Sequence, residues 1–130
     1  MMYNTGMKKG KLKQNGVHLQ DHEYETVKLF LDAGFDVELI PRSQIRGYRQ
    51  PDIMMGGLAW EIKAPIGDGK KTIQNTLQGA AEQSRNVIID LIRSRMPEEK
   101  AIKGYNQYFA ASKRIKRVKI ITKDRVTVKY

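Results

Sequence analysis

Apolar and polar positions alternate in a way that divides most of the chain into regular elements. From Asp21 to Ala33 the residues Val27, Phe30 and Leu31 fall on one helical face, with Asp21 as the expected N-cap and Gly34 as the stop. Phe35 to Ile40 sets Phe35, Val37 and Leu39 against Asp36 and Glu38, the period of a strand with one buried face. Pro51 to Lys63 reads as two short apolar strands around Gly56-Gly57, a pair suited to hairpin turns that need positive φ. Thr72 to Ser84 predicts a helix with Ile73, Leu77, Ala80, Ala81 and Ser84 on one face and Thr72 as its N-cap. Val87 to Leu91 is a continuous apolar run interrupted only by Asp90, which fits an interior parallel strand. Glu98 to Ser112 predicts a helix facing inward through Ala101, Ile102, Tyr105, Tyr108 and Phe109, and a last hairpin turns at Lys123-Asp124 between Arg117–Thr122 and Arg125–Tyr130.

The order helix, strand, hairpin, helix, buried strand, helix, hairpin predicts an α/β domain, a mixed β-sheet flanked by helices in three layers. Met1 to Val17 shows no apolar periodicity and carries Lys8, Lys9, Lys11 and Lys13, so residues 1–17 are expected as a basic, poorly ordered arm and 18–130 as a single domain.

The Gly56-Gly57 turn sets a register. Met55 pairs with Leu58, Met54 with Ala59 and Ile53 with Trp60, which leaves Asp52 opposite Glu61. Directly opposed residues share a face with Cβ atoms about 5 Å apart, and Lys63 projects from that same face. Two opposed carboxylates repel and weaken a sheet unless positive charge stands between them. A hard divalent cation meets that need, because Mg²⁺ takes one or two carboxylates together with water and substrate phosphate. The other reading of the same geometry is a solvated hairpin face on which Glu61 and Lys63 offset each other. Glu23 belongs to the buried stripe of its helix, four residues before Val27; it faces such a site or serves as a first-turn acid complementing the helix dipole.

Composition removes several rival chemistries. The 130 residues include no cysteine, which excludes disulfides, thiolate zinc sites and cysteine nucleophiles. His18 and His22, the only histidines, are too few for a three-histidine metal site, so metal chemistry has to rest on carboxylates. With Lys+Arg at 24 against Asp+Glu at 14, the net charge of +10 favours polyanionic partners, nucleic acid above all. No apolar run approaches the roughly 20 residues of a membrane span, and the chain reads as acting in the cytoplasm.

Several basic groups flank the hairpin. Arg42, Arg46 and Arg49 crowd the connector from Pro41 to Gln50; Lys70 and Lys71 lead into the helix after the glycine-rich Gly67-Asp68-Gly69; Gln83 stands near the end of that helix, and Arg85 and Asn86 follow it. Each group fits phosphate contact or a solvated surface equally well. The glycine-rich loop is not a nucleotide-binding P-loop, since Lys71 stands where that motif requires serine or threonine.

A helix bearing Glu23, a strand opening Pro51-Asp52, a second with Glu61-Ile62-Lys63, and a helix with a late Gln83 resemble the PD-(D/E)XK nuclease superfamily. Over Asp52-Ile53, Trp60 to Lys63, Gly67 to Ile73 and Gln83 to Leu91 the chain is similar to the C-terminal tRNA-nuclease toxin domain of CdiA proteins of contact-dependent growth inhibition. The resemblance implies a restriction-endonuclease-like core and a metal-dependent tRNase. It implies Mg²⁺ (or Mn²⁺ or Zn²⁺) held by Asp52, Glu61 and the Ile62 carbonyl, Lys63 orienting the attacking water, and Glu23 assisting through a water. Thr72 and Gln83 carry over as supporting positions, with Arg46, Arg49, Lys70, Lys71 and Arg85 as expected nucleic-acid contacts. It further implies a cognate immunity protein and delivery into target bacteria within a larger secreted protein, although this chain opens on its own Met1 and fits either an excised domain or a free-standing relative. A DNA endonuclease of the same superfamily and a non-catalytic nucleic-acid-binding module are the competing readings.

Overall fold

The computed structural model describes residues 8–130. Met1 to Met7, the first part of the expected arm, lie outside the described residues. The elements are β1 (Leu12–Lys13), α1 (Asp21–Asp32), β2 (Val37–Leu39), β3 (Ile53–Met55), β4 (Leu58–Lys63), α2 (Thr72–Ala81), β5 (Asn86–Asp90), α3 (Glu98–Ala111), β6 (Arg117–Ile121) and β7 (Thr127–Lys129). The strands form one mixed sheet in sequence order from β1 to β7. Pairs β1–β2, β4–β5 and β5–β6 are parallel and the rest antiparallel.

The two sides of the sheet hold separate cores. Val27 and Phe30 of α1 pack against Val37, Leu39, Ile53, Met55, Trp60, Ile88 and Ile121. On the other side Leu77 and Ala80 of α2 and Ala101 and Tyr105 of α3 cover Val87, Ile89, Val118 and Ile120. Strand β5 is buried along its whole length because its alternate residues serve both cores, the reason its sequence is apolar without alternation. Fully enclosed side chains such as Leu77 and Ile89 each contribute about 1.5–3 kcal/mol relative to exposure.

Tertiary contacts shift several expected boundaries. The later part of the basic stretch is structured, since β1 pairs with β2 through Leu12↔Val37 and Lys13↔Glu38. Two residues have too little periodicity to read in sequence, and their strand exists because β2 offers an open edge. Gly10 permits this approach, as a Cβ there would collide with the Phe35 carbonyl. The α1 cap is Gln20 rather than Asp21, and the α2 cap is Lys71 rather than Thr72. Phe35 is exposed and precedes the strand, stacking edge-on against Phe30 with ring centroids 6.2 Å apart. Helix α2 stops at Ala81 because Ser84 turns away to donate its hydroxyl to the Ala59 carbonyl at 2.9 Å.

Beneath α1, Asp90 is fully enclosed and accepts four hydrogen bonds, one of them from the Ile92 N–H at 3.0 Å. Arg125 reaches it with both guanidinium nitrogens at 2.7 and 3.1 Å, and the Thr26 hydroxyl donates at 2.6 Å. One carboxylate thus joins α1, β5 and the β6–β7 turn.

Candidate active site

The β3–β4 hairpin turns on Gly56 and Gly57, whose φ angles of 61° and 77° are both positive, as their sequence required. Its register is Ile53↔Trp60, Met54↔Ala59 and Met55↔Leu58. One residue further, the Asp52 N–H donates to the Trp60 carbonyl at 3.0 Å, which brings Asp52 opposite Glu61. The Asp52 main chain is held from its other side by the Ile40 N–H, and its carboxylate Oδ2 accepts the Ile62 N–H at 2.8 Å. Asp52 is therefore aimed by three backbone groups.

Glu61 pairs with Val87 and Lys63 with Ile89, so both charged side chains enter the layer covered by α2. Only 3% of Glu61 is exposed. Its Oε2 lies 3.4 Å from the Lys63 ammonium, whereas its Oε1 is buried and has no hydrogen-bond partner. Burial first, and then the neighbouring negative charge of Asp52, push the Glu61 carboxyl up to about 8, against the opposing pull of Lys63. The Lys63 ammonium runs close under α2, 3.9 Å from the point where a Cβ on Gly79 would stand.

An unsatisfied buried carboxylate oxygen beside a second carboxylate is the donor set of a hard divalent cation. The residues present fit such an ion: Asp52 and Glu61 would hold it with the main chain of Ile62 adjacent. Among the described residues no cluster of three or more His, Asp or Glu gathers around one point, so the protein supplies a pair of acids rather than a cage. That is the habit of Mg²⁺ sites, which keep several waters.

The remaining expected residues are distributed as follows. Glu23 does not share the face of Glu61, because α1 packs on the opposite side of the sheet. Its Oε1 accepts the Gln20 N–H at 2.9 Å and closes the first turn. It nevertheless reaches round the strand end and lines a cavity of about 30 Å³ with Asp52, His18, Arg42 and Gln50. Thr72 is the first residue of α2, packed under the glycine loop with its carbonyl accepting the Thr76 hydroxyl at 2.7 Å. Gln83 lies beyond the helix, half-buried, with its N–H on the Ala80 carbonyl. Arg46, Lys70, Lys71 and Arg85 are exposed. Arg49 is engaged, forming a 2.7 Å ion pair with Glu82 that ties the connector to the end of α2.

Sequence reasoning passed over the Arg49–Glu82 tie, the place of His18 beside Asp52, and the crevice of about 310 Å³ where Asn75 and Thr76 meet Lys63. Gly79 alone carried a readable signal, since glycine inside a helix costs stability and marks a close approach.

Residues 49–126, more than half of the chain, match the family model of the contact-dependent growth inhibition CdiA C-terminal domain. The chain belongs to that family. The matched segment runs from Arg49 through the acid pair to the β6–β7 turn, leaving α1 and Glu23 outside it. Comparison with curated protein sequences finds no match. Among solved structures the fold is similar to a CdiA-CT/CdiI toxin and immunity complex from Burkholderia pseudomallei, with a TM-score of 0.61 at 18% identity. The similarity covers 93% of this chain and 98% of the other, and extends the shared fold beyond the segment matched in sequence.

Proposed function

We propose that this CdiA C-terminal domain is a divalent-metal-dependent ribonuclease, a tRNase toxin on a PD-(D/E)XK core. The observation that carries the reading is Glu61, whose buried Oε1 lacks a partner beside the carboxylate of Asp52. Family membership supports a toxic effector, and the net charge of +10 supports a polyanionic substrate.

In this reading Asp52 and Glu61 hold the cation. A bound Mg²⁺, with Mn²⁺ or Zn²⁺ as substitutes, supplies Lewis acidity and a water of lowered pKa for in-line attack on the phosphodiester. Lys63 presents fixed positive charge to the phosphoryl oxygens as negative charge develops there. The Ile62 N–H keeps Asp52 from turning away, because a donor at 2.8 Å fixes one of its oxygens. Glu23 acts through a water in the 30 Å³ cavity it shares with Asp52, a volume sufficient for a single ordered water. Arg46, Lys70, Lys71 and Arg85 contact the RNA backbone, and Thr72 and Gln83 support the site from the two ends of α2. The toxin acts in the cytoplasm of a target bacterium after delivery within a larger protein. A cognate immunity protein, acidic where it covers the basic surface, protects the producing cell.

Purified protein incubated with total RNA or duplex DNA, with and without EDTA, tests the reading beside Asp52→Ala and Lys63→Ala. Metal-dependent RNA cleavage lost in both variants is the expected result. Cleavage that persists in the variants removes the assigned site, and preference for duplex DNA selects the DNA endonuclease. Tight binding without cleavage selects a binding module. The wild type should also express poorly where Asp52→Ala expresses well.

A further inference from the structure

We propose that the cleft between the C-terminal ends of α2 and α3 is a second anchor for the phosphate backbone of an RNA substrate, so that substrates spanning both places are favoured over short ones. The proposal rests on the nuclease reading for its substrate and adds a site separate from the acid pair.

The cleft has a volume of about 370 Å³ and is lined by Ala81, Arg85, Lys113, Arg114 and Lys116. Four of its five lining residues are cationic and none is acidic. Cations near a helix C-terminus are favoured by the exposed carbonyls, and Arg114 fills that role by donating Nη2 to the Ala81 carbonyl at 3.0 Å. One cation satisfies that requirement. Among the described residues none of the four forms an ion pair, which leaves their charge available to an anionic ligand.

The fold holds them together. The Lys116 and Arg117 N–H groups both donate to the Arg85 carbonyl, at 2.7 and 3.3 Å. The Ser112 hydroxyl accepts the Arg114 and Ile115 N–H groups, each at 3.2 Å, which fixes the turn bearing Lys113 and Arg114. Guanidinium and ammonium groups outside any ion pair, gathered around an open cavity, suit the two non-bridging oxygens of a backbone phosphodiester.

Position argues for a nucleic-acid backbone over an isolated anion. Ser84 and Asn86, on either side of Arg85, both donate to the Ala59 carbonyl, and Ala59 stands two residues before Glu61 on its strand. The cleft thus begins about 7 Å or more beyond the acid pair, past the end of α2. A polymer with regularly spaced phosphates reaches both; a dinucleotide held at the acids does not.

The test uses Lys113→Gln/Lys116→Gln, which leaves the helix-capping Arg114 in place. Fluorescence anisotropy of labelled tRNA on the Asp52→Ala background, over a series of salt concentrations, should show affinity falling about tenfold or more. The slope of log K against log salt should become shallower by about 1.5, the contribution of two phosphate contacts. The charge-preserving Lys113→Arg/Lys116→Arg should restore both. In the active protein, kcat/KM should fall at least tenfold more for tRNA than for an RNA dinucleotide. Unchanged affinity and slope, or equal losses on both substrates, overturns the proposal. Failure of the nuclease reading is distinguishable, because it removes cleavage by the wild type while the binding measurement still reports on the cleft.

Discussion

Glu61 and Lys63 share one face of β4, with Oε2 and Nζ 3.4 Å apart, and the other Glu61 oxygen is buried without a partner. The lysine answers half of a carboxylate that the fold has taken out of water. The unanswered half is the feature on which the proposed cation site rests.

Removing the lysine tests that division. In Lys63→Met the opposing pull on Glu61 is gone, so its carboxyl is pushed further upward and protonation competes more strongly with a cation. Nuclease activity should fall by about 10²-fold or more, with a parallel fall in Mg²⁺ affinity measured by calorimetry. Full activity in this variant would remove Lys63 from the site.

Stability should depend on pH through Glu61. Its folded value of about 8 lies above the ordinary value of 4.5, so between these limits the folded chain keeps a proton that the unfolded chain releases. The stabilisation is complete below the lower limit and is lost as pH rises through the upper one. Urea unfolding in EDTA should show the wild type losing stability by a few kcal/mol more than Glu61→Gln between about pH 5 and pH 8.5. Mg²⁺ should offset the loss in the wild type alone, and activity at limiting Mg²⁺ should rise over the same interval.

Asp90 predicts a large structural effect away from the site. Arg125→Ala leaves a fully enclosed carboxylate without its cation and should cost about 3–5 kcal/mol in denaturant unfolding. A loss below about 1 kcal/mol would mean that Thr26 and the Ile92 N–H suffice to hold the carboxylate.

Gly79 separates helix propensity from access. A Cβ there meets Lys63 Nζ at 3.9 Å, an ordinary contact, so Gly79→Ala should fold with a gain of about 0.5–1 kcal/mol and keep activity. Gly79→Leu has to displace the ammonium and should lose activity while the helix persists by circular dichroism. Equal activity in the two variants would show that Lys63 tolerates displacement.

Local chemistry made a large part of this protein legible in its sequence. The Gly56-Gly57 turn determined the hairpin register and hence the opposition of Asp52 and Glu61, because two residues of positive φ leave one way to pair the strands. The unbroken apolar run of β5 announced an interior strand, and the absence of cysteine left carboxylates as the candidates for the proposed metal site. What depends on distant segments was decided only by the tertiary structure. Glu23 satisfies the helical periodicity of a buried position, but periodicity does not say which side of the sheet a helix covers; α1 took the side away from Glu61, and Glu23 meets Asp52 only round the strand end. Strand β1 needed the open edge of β2, and Arg49 needed Glu82 at the far end of α2. The burial that drives Glu61 upward also comes from the layer built over it by α2, which no residue near Glu61 in sequence encodes.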